Sequence, residues 1–198
     1  MSLLKSRFIE MFKDINLATQ KKEWIELRCL GKIVSGTTPK TDKENYWNGE
    51  NLWITPAELR SDSYVVSSTE RKITTEGIKS CSLQMMPKNT VLLTSRAPIG
   101  KVAISGVEMY CNQGFKNIVC KEELNPKYLY YLLKFNNEFL NSLGRGATFK
   151  EISKSILEKV KIPLPPISRQ SEFVAFAEQI DKSKFSEDFF LNIKIFQL

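Results

Sequence analysis

Histidine is absent from this chain of 198 residues. Its absence excludes the Ser-His-Asp and Cys-His arrangements of nucleophilic catalysis, and also the general base most often used near neutral pH. The cysteines are Cys29, Cys81, Cys111 and Cys120, and no two of them have the two-residue gap typical of a zinc knuckle. We therefore expect buried, reduced thiols and no structural metal.

Long apolar runs are lacking as well. No stretch approaches the roughly 18 consecutive apolar residues that a membrane-spanning helix needs. Residues 1–17 interleave Lys5, Arg7 and Glu10 with apolar side chains, so they contain neither the apolar run nor the cleavage site of a signal peptide. These absences predict a cytoplasmic protein.

Two classes of enzyme lack their motifs. Gly100-Lys101 is followed by valine, and no glycine stands at position 95, so the pattern of a phosphate-binding nucleotide loop is missing. A methyltransferase would carry a glycine-rich cofactor loop and an Asn/Asp-Pro-Pro-aromatic motif near the target amine. The Pro-Pro pair at 165–166 is preceded by Leu164 and followed by Ile167, so it does not qualify.

Two alternatives to a nucleic-acid-binding protein stay open. Asp62, Glu70 and Lys72 loosely match the carboxylate, Glu-x-Lys order that holds Mg²⁺ in many nucleases. Such triplets arise readily by chance in a chain with this many charged residues, and no proline precedes Asp62. The other alternative is a non-catalytic assembly protein that acts through its terminal helices.

Positive charge is present in excess. Lys and Arg total 29 against 22 Asp and Glu, which gives a formal net charge of +7. This surplus favours an acidic partner, most often nucleic acid and less often an anionic membrane surface. Hydrophobic residues make up 42% of the chain, which is enough to fill one sizeable core.

The hydrophobic pattern predicts a mixed α+β fold in three regions. These are an amphipathic helix in 1–17, a globular domain with a twisted mixed sheet and helices in 18–166, and a coiled-coil-type helix in 167–198. Strands are predicted at 24–27, 89–94, 101–104 and 117–120, and helices from Pro126 and from Thr148. Thr148 and Glu151 have capping-box spacing, and Ile152, Ile156 and Val160 follow as an apolar stripe.

The last region carries an aromatic seam at helical spacing. Prolines in 162–166 end the preceding helix and require an extended segment. The seam predicts a long amphipathic helix whose exposed stripe needs a partner. Its members are Phe173, Phe176 or Ala177, Ile180, Phe185, Phe189, Ile193 and Phe196.

A series of motifs resembles one known family. In order along the chain they are SGTTP at 35–39, YW at 46–47, WITP at 53–56, ERKIT at 70–74, TVLLTSRAPIG at 90–100, NQGFK at 112–116, TFKEIS at 148–153 and IPLPP at 162–166. Together they resemble one target-recognition domain of the specificity subunit of type I restriction–modification enzymes. The resemblance covers about Trp24 to Ile180.

The resemblance implies a function without catalysis by this chain. Such a domain reads one half of a bipartite site in double-stranded DNA, and long helices join two such domains as an antiparallel coiled-coil spacer. Modification subunits that methylate adenine and motor–nuclease subunits that restrict DNA dock onto it. S-adenosylmethionine, ATP and Mg²⁺ are then expected only in those partner subunits, and this chain is expected to bind no cofactor.

The chain departs from the complete family pattern, because only one recognition domain is present. Its opening residues resemble the end of the spacer helix that precedes a second recognition domain, which indicates a half-subunit. Two copies that pair through their terminal helices would rebuild a reader of a symmetric site. The seam residues predicted to contact a partner helix are Phe173, Phe176, Ile180, Phe185, Phe189 and Ile193.

Two segments offer the first candidate DNA contacts. Thr37, Thr38, Lys40 and Lys43 place two hydroxyls and two ammonium groups on one turn. This turn fits a phosphate-contacting loop under the resemblance, and a solvated surface turn without it. Ser95 and Arg96 follow a predicted strand, where Arg96 could pair with guanine or phosphate for roughly 1–3 kcal/mol of discrimination in the base case. The alternative for Arg96 is an internal salt bridge that fixes the turn.

Two further segments complete the candidate set. Asn112, Gln113 and Lys116 combine amides able to bond adenine with a cation, although the amides could instead satisfy local backbone in a structural turn. Arg145, Lys150 and Lys154 surround a predicted helix N-terminus, whose free N–H groups favour a phosphate. The alternative for these three cations is an ordinary solvated helix face.

Overall fold

The computed structural model describes residues 2–13, 15–60, 64–96, 98–146 and 150–195, with side chains as far as residue 181. It divides into two compact units. The smaller unit consists of Met1–Ile15 and Pro165–Leu198, and the larger unit consists of Asn16–Leu164. In the part of the chain described, no helix has the length and apolar character needed to cross a membrane.

Helices and strands alternate irregularly along the chain, which confirms the mixed α+β prediction. The helices are Leu3–Phe12 (α1), Leu27–Leu30 (α2), Thr75–Ser80 (α3), Pro126–Phe135 (α4), Asn137–Leu143 (α5), Lys154–Glu158 (α6) and Ile167–Ile195 (α7). The strands are Ile25–Glu26 (β1), Gly31–Ser35 (β2), Trp47–Ile54 (β3), Val65–Val66 (β4), Arg71–Ile73 (β5), Val91–Leu93 (β6), Val102–Ser105 (β7), Tyr110–Cys111 (β8), Lys116–Cys120 (β9) and Lys161–Ile162 (β10).

A five-stranded sheet in the order β2-β9-β6-β7-β4 forms the centre of the larger unit. Its neighbours are antiparallel except for the parallel pair β4 and β7. Every residue of β6 and β7 is buried, as expected of short, continuous apolar runs. Helix α4 packs on these two strands and begins at Pro126, where Asn125 caps the helix by accepting from the N–H groups of Lys127 and Tyr128.

A second sheet, in the order β5-β3-β8, stands beside its own small core. Trp47, Trp53 and Ile73 form this core, and the two indoles meet edge to face at 5.0 Å between centroids. The register between β3 and β5 shifts between Trp47 and Asn51, which is a bulge in the long strand β3.

The predicted helix from Thr148 is wrong at its start. Helix α6 begins at Lys154 and is capped by Ser153, whose hydroxyl accepts from the N–H of Ile156. Glu151 is instead paired through its backbone with Arg96 and Arg145 in isolated β-bridges. Thr148 lies outside the described residues. Its capping-box spacing is misleading because Ser153 supplies the cap and Glu151 is bound by long-range partners.

The strand predicted at 24–27 is shorter than expected. Only Ile25 and Glu26 pair, with Ile162 and Lys161 of β10, and α2 begins at Leu27. The cysteine prediction also needs correction. All four thiols are free, but Cys29 is exposed and only Cys111 is fully buried.

The smaller unit holds α1 and α7. The helix predicted for residues 1–17 is confined to Leu3–Phe12, with Ser2 as its cap, and Ile15 follows it. The rings of Phe8 and Phe12 lie 4.7 and 5.9 Å from that of Phe173 on α7. The first part of the predicted exposed seam is therefore buried by the chain's own α1. The side chains of Phe185, Phe189 and Ile193 fall outside those described, as does Phe196.

Candidate nucleic-acid interface

Backbone hydrogen bonds join the segments that carry most of the candidate residues. The N–H of Thr37 donates to the carbonyl of Cys111 at 3.1 Å, and the N–H of Ser95 donates to the carbonyl of Gly114 at 2.8 Å. The carbonyl of Ser95 accepts from Ile152 at 2.9 Å, and Glu151 and Arg145 exchange two backbone bonds. Residues 36–43, 95–96, 112–116, 145–146 and 150–152 are therefore neighbours in the larger unit.

The loop that follows β2 is held by two indoles. Trp53 Nε1 donates to the carbonyl of Thr37 at 3.2 Å, and Trp47 Nε1 donates to the carbonyl of Lys40 at 3.1 Å. Gly36 is needed at the start of the loop, because a Cβ there would lie 1.8 Å from the carbonyl oxygen of Cys111. The two indole hydrogen bonds therefore hold the loop backbone at Thr37 and Lys40.

The exposed side of this loop carries most of its polar side chains. Thr37, Lys40 and Lys43 are exposed, while Thr38 is half-buried. The hydroxyl of Thr38 donates to Oε1 of exposed Gln113 at 2.6 Å, which links the loop to the 112–116 segment. A fixed backbone with exposed hydroxyl and ammonium groups is well suited to contact phosphates, because little conformational entropy is lost on binding.

Some residues of the 112–116 segment have a structural role, and others are exposed at the surface. Asn112 Oδ1 accepts from the N–H of Gly114 at 2.9 Å, so this amide satisfies the local backbone, as in the structural alternative. A Cβ on Gly114 would lie 2.6 Å from Pro56, which explains the glycine. Gln113 keeps its amide nitrogen at the surface, whereas Lys116 is buried.

Glu151 is the charged centre of the site. One carboxylate oxygen lies 3.0 Å from Lys116 Nζ, and the other lies 3.0 Å from Arg96 Nε. Burial tends to raise the pKa of Glu151, but the hydrogen bonds and positive charges of Lys116 and Arg96 outweigh it and lower that pKa below its ordinary value. The salt-bridge alternative for Arg96 is therefore present, although its side chain is still 47% exposed.

The turn after Arg96 is clamped by α5. Asn137 Nδ2 donates to the carbonyl of Gly100 at 2.7 Å, and Asn141 Nδ2 donates to the carbonyl of Ile99 at 3.2 Å. Gly100 has φ +89°, and a Cβ there would lie 2.5 Å from Asn137 Nδ2. Asn137 and Asn141 therefore hold the backbone at Gly100 and Ile99, a few residues after Arg96.

The remaining predicted residues differ in their exposure to solvent. Ser95 is fully buried, and its hydroxyl lies 3.4 Å from Lys116 Nζ, so both side chains support the surface from within. Arg145 and Lys150 are exposed, but Lys150 precedes α6 and does not share a helix with Lys154. Lys154 is at the start of α6 and approaches Glu158 at 3.7 Å.

Sequence reasoning missed the support given by the tryptophans. Trp47 and Trp53 stood only as parts of motifs, and their indoles bond carbonyls 7 and 16 residues earlier in the chain. No spacing rule predicts such contacts. The available signal was an even spacing of two tryptophans within one strand, close after a Thr/Lys-rich turn.

The nuclease alternative finds no support in the geometry. The backbone N–H of Glu70 donates to the carboxylate of Glu58 at 2.8 Å, and the side chains of Glu70 and Lys72 are both exposed. Asp62 lies outside the described residues. Within the described ranges, no group of three acidic, cysteine or histidine side chains is arranged to hold a metal ion.

Comparison with known proteins identifies the family. The model of the type I restriction modification DNA specificity domain matches residues 20–187. The MjaIX specificity subunit of a type I restriction enzyme from Methanocaldococcus jannaschii is 39% identical over 184 residues, covering 90% of this chain and 43% of that protein.

Solved structures agree on the fold. The crystal structure of the HsdS subunit from Thermoanaerobacter tengcongensis superposes with a TM-score of 0.65 at 22% identity, covering 91% of this chain and 43% of that one. A chain from a structure of assembly and conformational transition in a type I R-M system also gives a TM-score of 0.65, at 20% identity, with 91% and 46% covered. The chain spans less than half the length of these relatives. It belongs to the type I restriction–modification DNA specificity family.

Proposed function

We propose that this chain recognises double-stranded DNA as one target-recognition domain of a specificity subunit, and that it directs adenine methylation and restriction by partner subunits. The observation that carries the proposal is the polar, cationic surface of the larger unit, whose segments are joined by hydrogen bonds, in a chain of this family. Four segments meet there, and their exposed groups are hydroxyls, amides and cations. We assign no catalytic step and no cofactor to this chain, and we place its action in the cytoplasm.

The exposed groups divide by their expected role. Phosphate contacts are proposed for the cations Lys40, Lys43 and Arg145 and for the hydroxyl of Thr37, while Thr38 orders the loop through its bond to Gln113. These contacts fix the register of the protein on the duplex, because phosphate positions are the same for every base sequence. They supply affinity rather than sequence choice.

Base reading is proposed for Arg96 and for Gln113 on the neighbouring segment. The ion pair of Arg96 uses Nε, which leaves the two terminal nitrogens to approach a guanine or a phosphate. Gln113 can bond adenine with its amide, and Asn112 assists by ordering the backbone. Lys150 and Lys154 extend the cationic surface, while Ser95 and Lys116 hold it in place.

We propose α7 as the element that meets partner chains. Phe173 is already buried, so the available part of the seam begins near Phe176 and Ile180, which are half-buried. Along the sequence, the proposed seam continues at Phe185, Phe189 and Ile193. Modification and restriction subunits, and a second copy of this chain, are the proposed partners along this seam.

Methylation in living cells tests the function directly. The chain is co-expressed with its modification subunit, and host DNA is sequenced for new N6-methyladenine. A bipartite motif that appears only when this chain is present supports the proposal, and a palindromic motif supports pairing of two copies. If no methylation appears and the modification subunit does not copurify, an assembly protein without DNA recognition is the better conclusion.

Binding to duplex DNA tests the surface. Affinity is measured from low to moderate salt for wild-type protein, for Lys40→Gln/Lys43→Gln/Arg145→Gln, and for the charge-matched control Lys32→Gln/Lys79→Gln/Lys88→Gln. The slope of log affinity against log salt falls by about 0.9 for each phosphate contact removed, so the first triple variant is expected to lose up to about 2.7. Equal slopes for both triple variants contradict the placement of the surface.

A further inference from the structure

Arg71 in β5 stacks on the tryptophans that hold the candidate loop. Its guanidinium carbon lies 3.6 Å from the ring centroid of Trp47 and 5.3 Å from that of Trp53. Both indoles are buried, whereas Arg71 itself is exposed. The arginine thus covers the outer side of the aromatic pair and faces solvent.

The same two indoles place Arg71 next to the proposed DNA surface. Their ring nitrogens donate to the carbonyls of Thr37 and Lys40, which begin and end the hydroxyl-rich part of the loop. Two rigid rings therefore connect the guanidinium to the loop backbone. Arg71 lies beside the loop because a single aromatic pair contacts both.

Among the described residues, the charge of Arg71 meets the two indole rings and no carboxylate. Arg28 and Arg96 each form an ion pair with a glutamate. For Arg71, no carboxylate lies within salt-bridge distance among the residues that the structure describes. A guanidinium that lies with its face on an indole keeps its N–H groups in the plane, where they can point outward as a fork.

We propose that Arg71 is a further DNA-contacting residue, which presents a preordered fork to a pair of acceptor atoms on the duplex. The acceptors are two oxygens of a phosphate or O6 and N7 of a guanine. Stacking on Trp47 removes most of the side chain's freedom before binding, so little ordering remains to oppose the contact. This inference rests on the proposed function.

Lys72 provides a matched control for the test. It follows Arg71 in the same strand, it is also exposed, and successive strand residues point to opposite faces. Arg71→Gln and Lys72→Gln each remove one positive charge from the same short element. Fluorescence anisotropy of the full chain is measured on two duplexes of equal length, one with only A·T pairs and one with G·C pairs.

The expected result is a loss of about 5- to 100-fold in affinity for Arg71→Gln, with Lys72→Gln close to wild type. A phosphate contact reduces affinity for both duplexes and lowers the salt slope by about 0.9. A guanine contact reduces affinity only for the duplex that contains G·C pairs. Arg71→Lys keeps the charge but loses the fork, so it recovers only part of the affinity.

Other outcomes separate this inference from the proposed function. If Arg71→Gln and Lys72→Gln both bind DNA as tightly as the wild-type protein, Arg71 makes no contact with DNA. If Arg71→Gln keeps the affinity of the wild type but has a lower Tm, Arg71 only covers Trp47, and the inference is overturned. If wild-type protein binds neither duplex, the proposed function itself fails.

Discussion

Replacing Glu151 by Gln removes one negative charge from between two cations and keeps the size of the side chain. Lys116 is then left as a charged group with 9% of its side chain exposed. Removing one partner of a fully buried ion pair costs about 3–5 kcal/mol, and removing one from an exposed pair costs about 0–1 kcal/mol. The side chain of Glu151 is 32% exposed, so we expect a loss of about 2 kcal/mol in the free energy of unfolding, between these limits.

Thermal unfolding gives this loss a measurable size. For a chain of this length, 1 kcal/mol corresponds to about 2–4 °C in Tm, so Glu151→Gln should lower Tm by about 4–8 °C. Glu158→Gln is the matched control, since it also removes one negative charge, from the wide and exposed pair with Lys154. That control should lower Tm by less than about 3 °C.

A double variant separates charge burial from shape. In Lys116→Met/Glu151→Gln, no buried ammonium is left without its partner, so Tm should recover part of the loss seen in Glu151→Gln alone. If Glu151→Gln is no less stable than Glu158→Gln, or if the loss in the double variant equals the sum of the losses in Glu151→Gln and in Lys116→Met alone, the carboxylate does not compensate the charge of Lys116. Glu151 would then not be the charged centre of the site.

Four further outcomes follow from the same contacts. The folded pKa of Glu151 is lowered, so its stabilisation is present above the ordinary glutamate pKa and is lost as pH falls through the lowered value; in urea unfolding, wild type and Glu151→Gln should therefore converge in acid and differ at pH 7. Trp53→Phe removes the donor to the Thr37 carbonyl and should cost about 1–3 kcal/mol in urea unfolding, with weaker DNA binding in the anisotropy assay. Gly100→Ala should lower Tm, because the positive φ and the contact with α5 both oppose a Cβ. Phe173→Ala should cost about 3–5 kcal/mol within the smaller unit and speed hydrogen exchange in α1, whereas unchanged exchange there would contradict the packing.

Elements defined by local pattern were predicted well from the sequence. The apolar residues at 91–93 and 117–120 are strands in the five-stranded sheet, and Pro126 begins a helix, because each signal lies within the element itself. The family was also predicted from the order of motifs and is confirmed.

Features made by distant contacts were not predictable in the same way. Glu151 was interpreted as a helix-capping residue, but its partners Arg96 and Lys116 are distant along the chain and appear only once the sheets are formed. The burial of Ser95 and Lys116 has the same origin. Local rules describe which residues are polar, and only tertiary packing decides which of them reach the surface.

The short pairing of β1 with β10 has a consequence for how such a module evolves. Ile25 faces Ile162, and Gln20 exchanges two hydrogen bonds with the backbone of Lys161, so the polypeptide enters and leaves the larger unit at one place. A unit with adjoining ends can be cut out and replaced at a single junction without stretching the flanking chain. Recombination at that junction would exchange one binding preference for another and leave the helical segments that flank the unit unaltered.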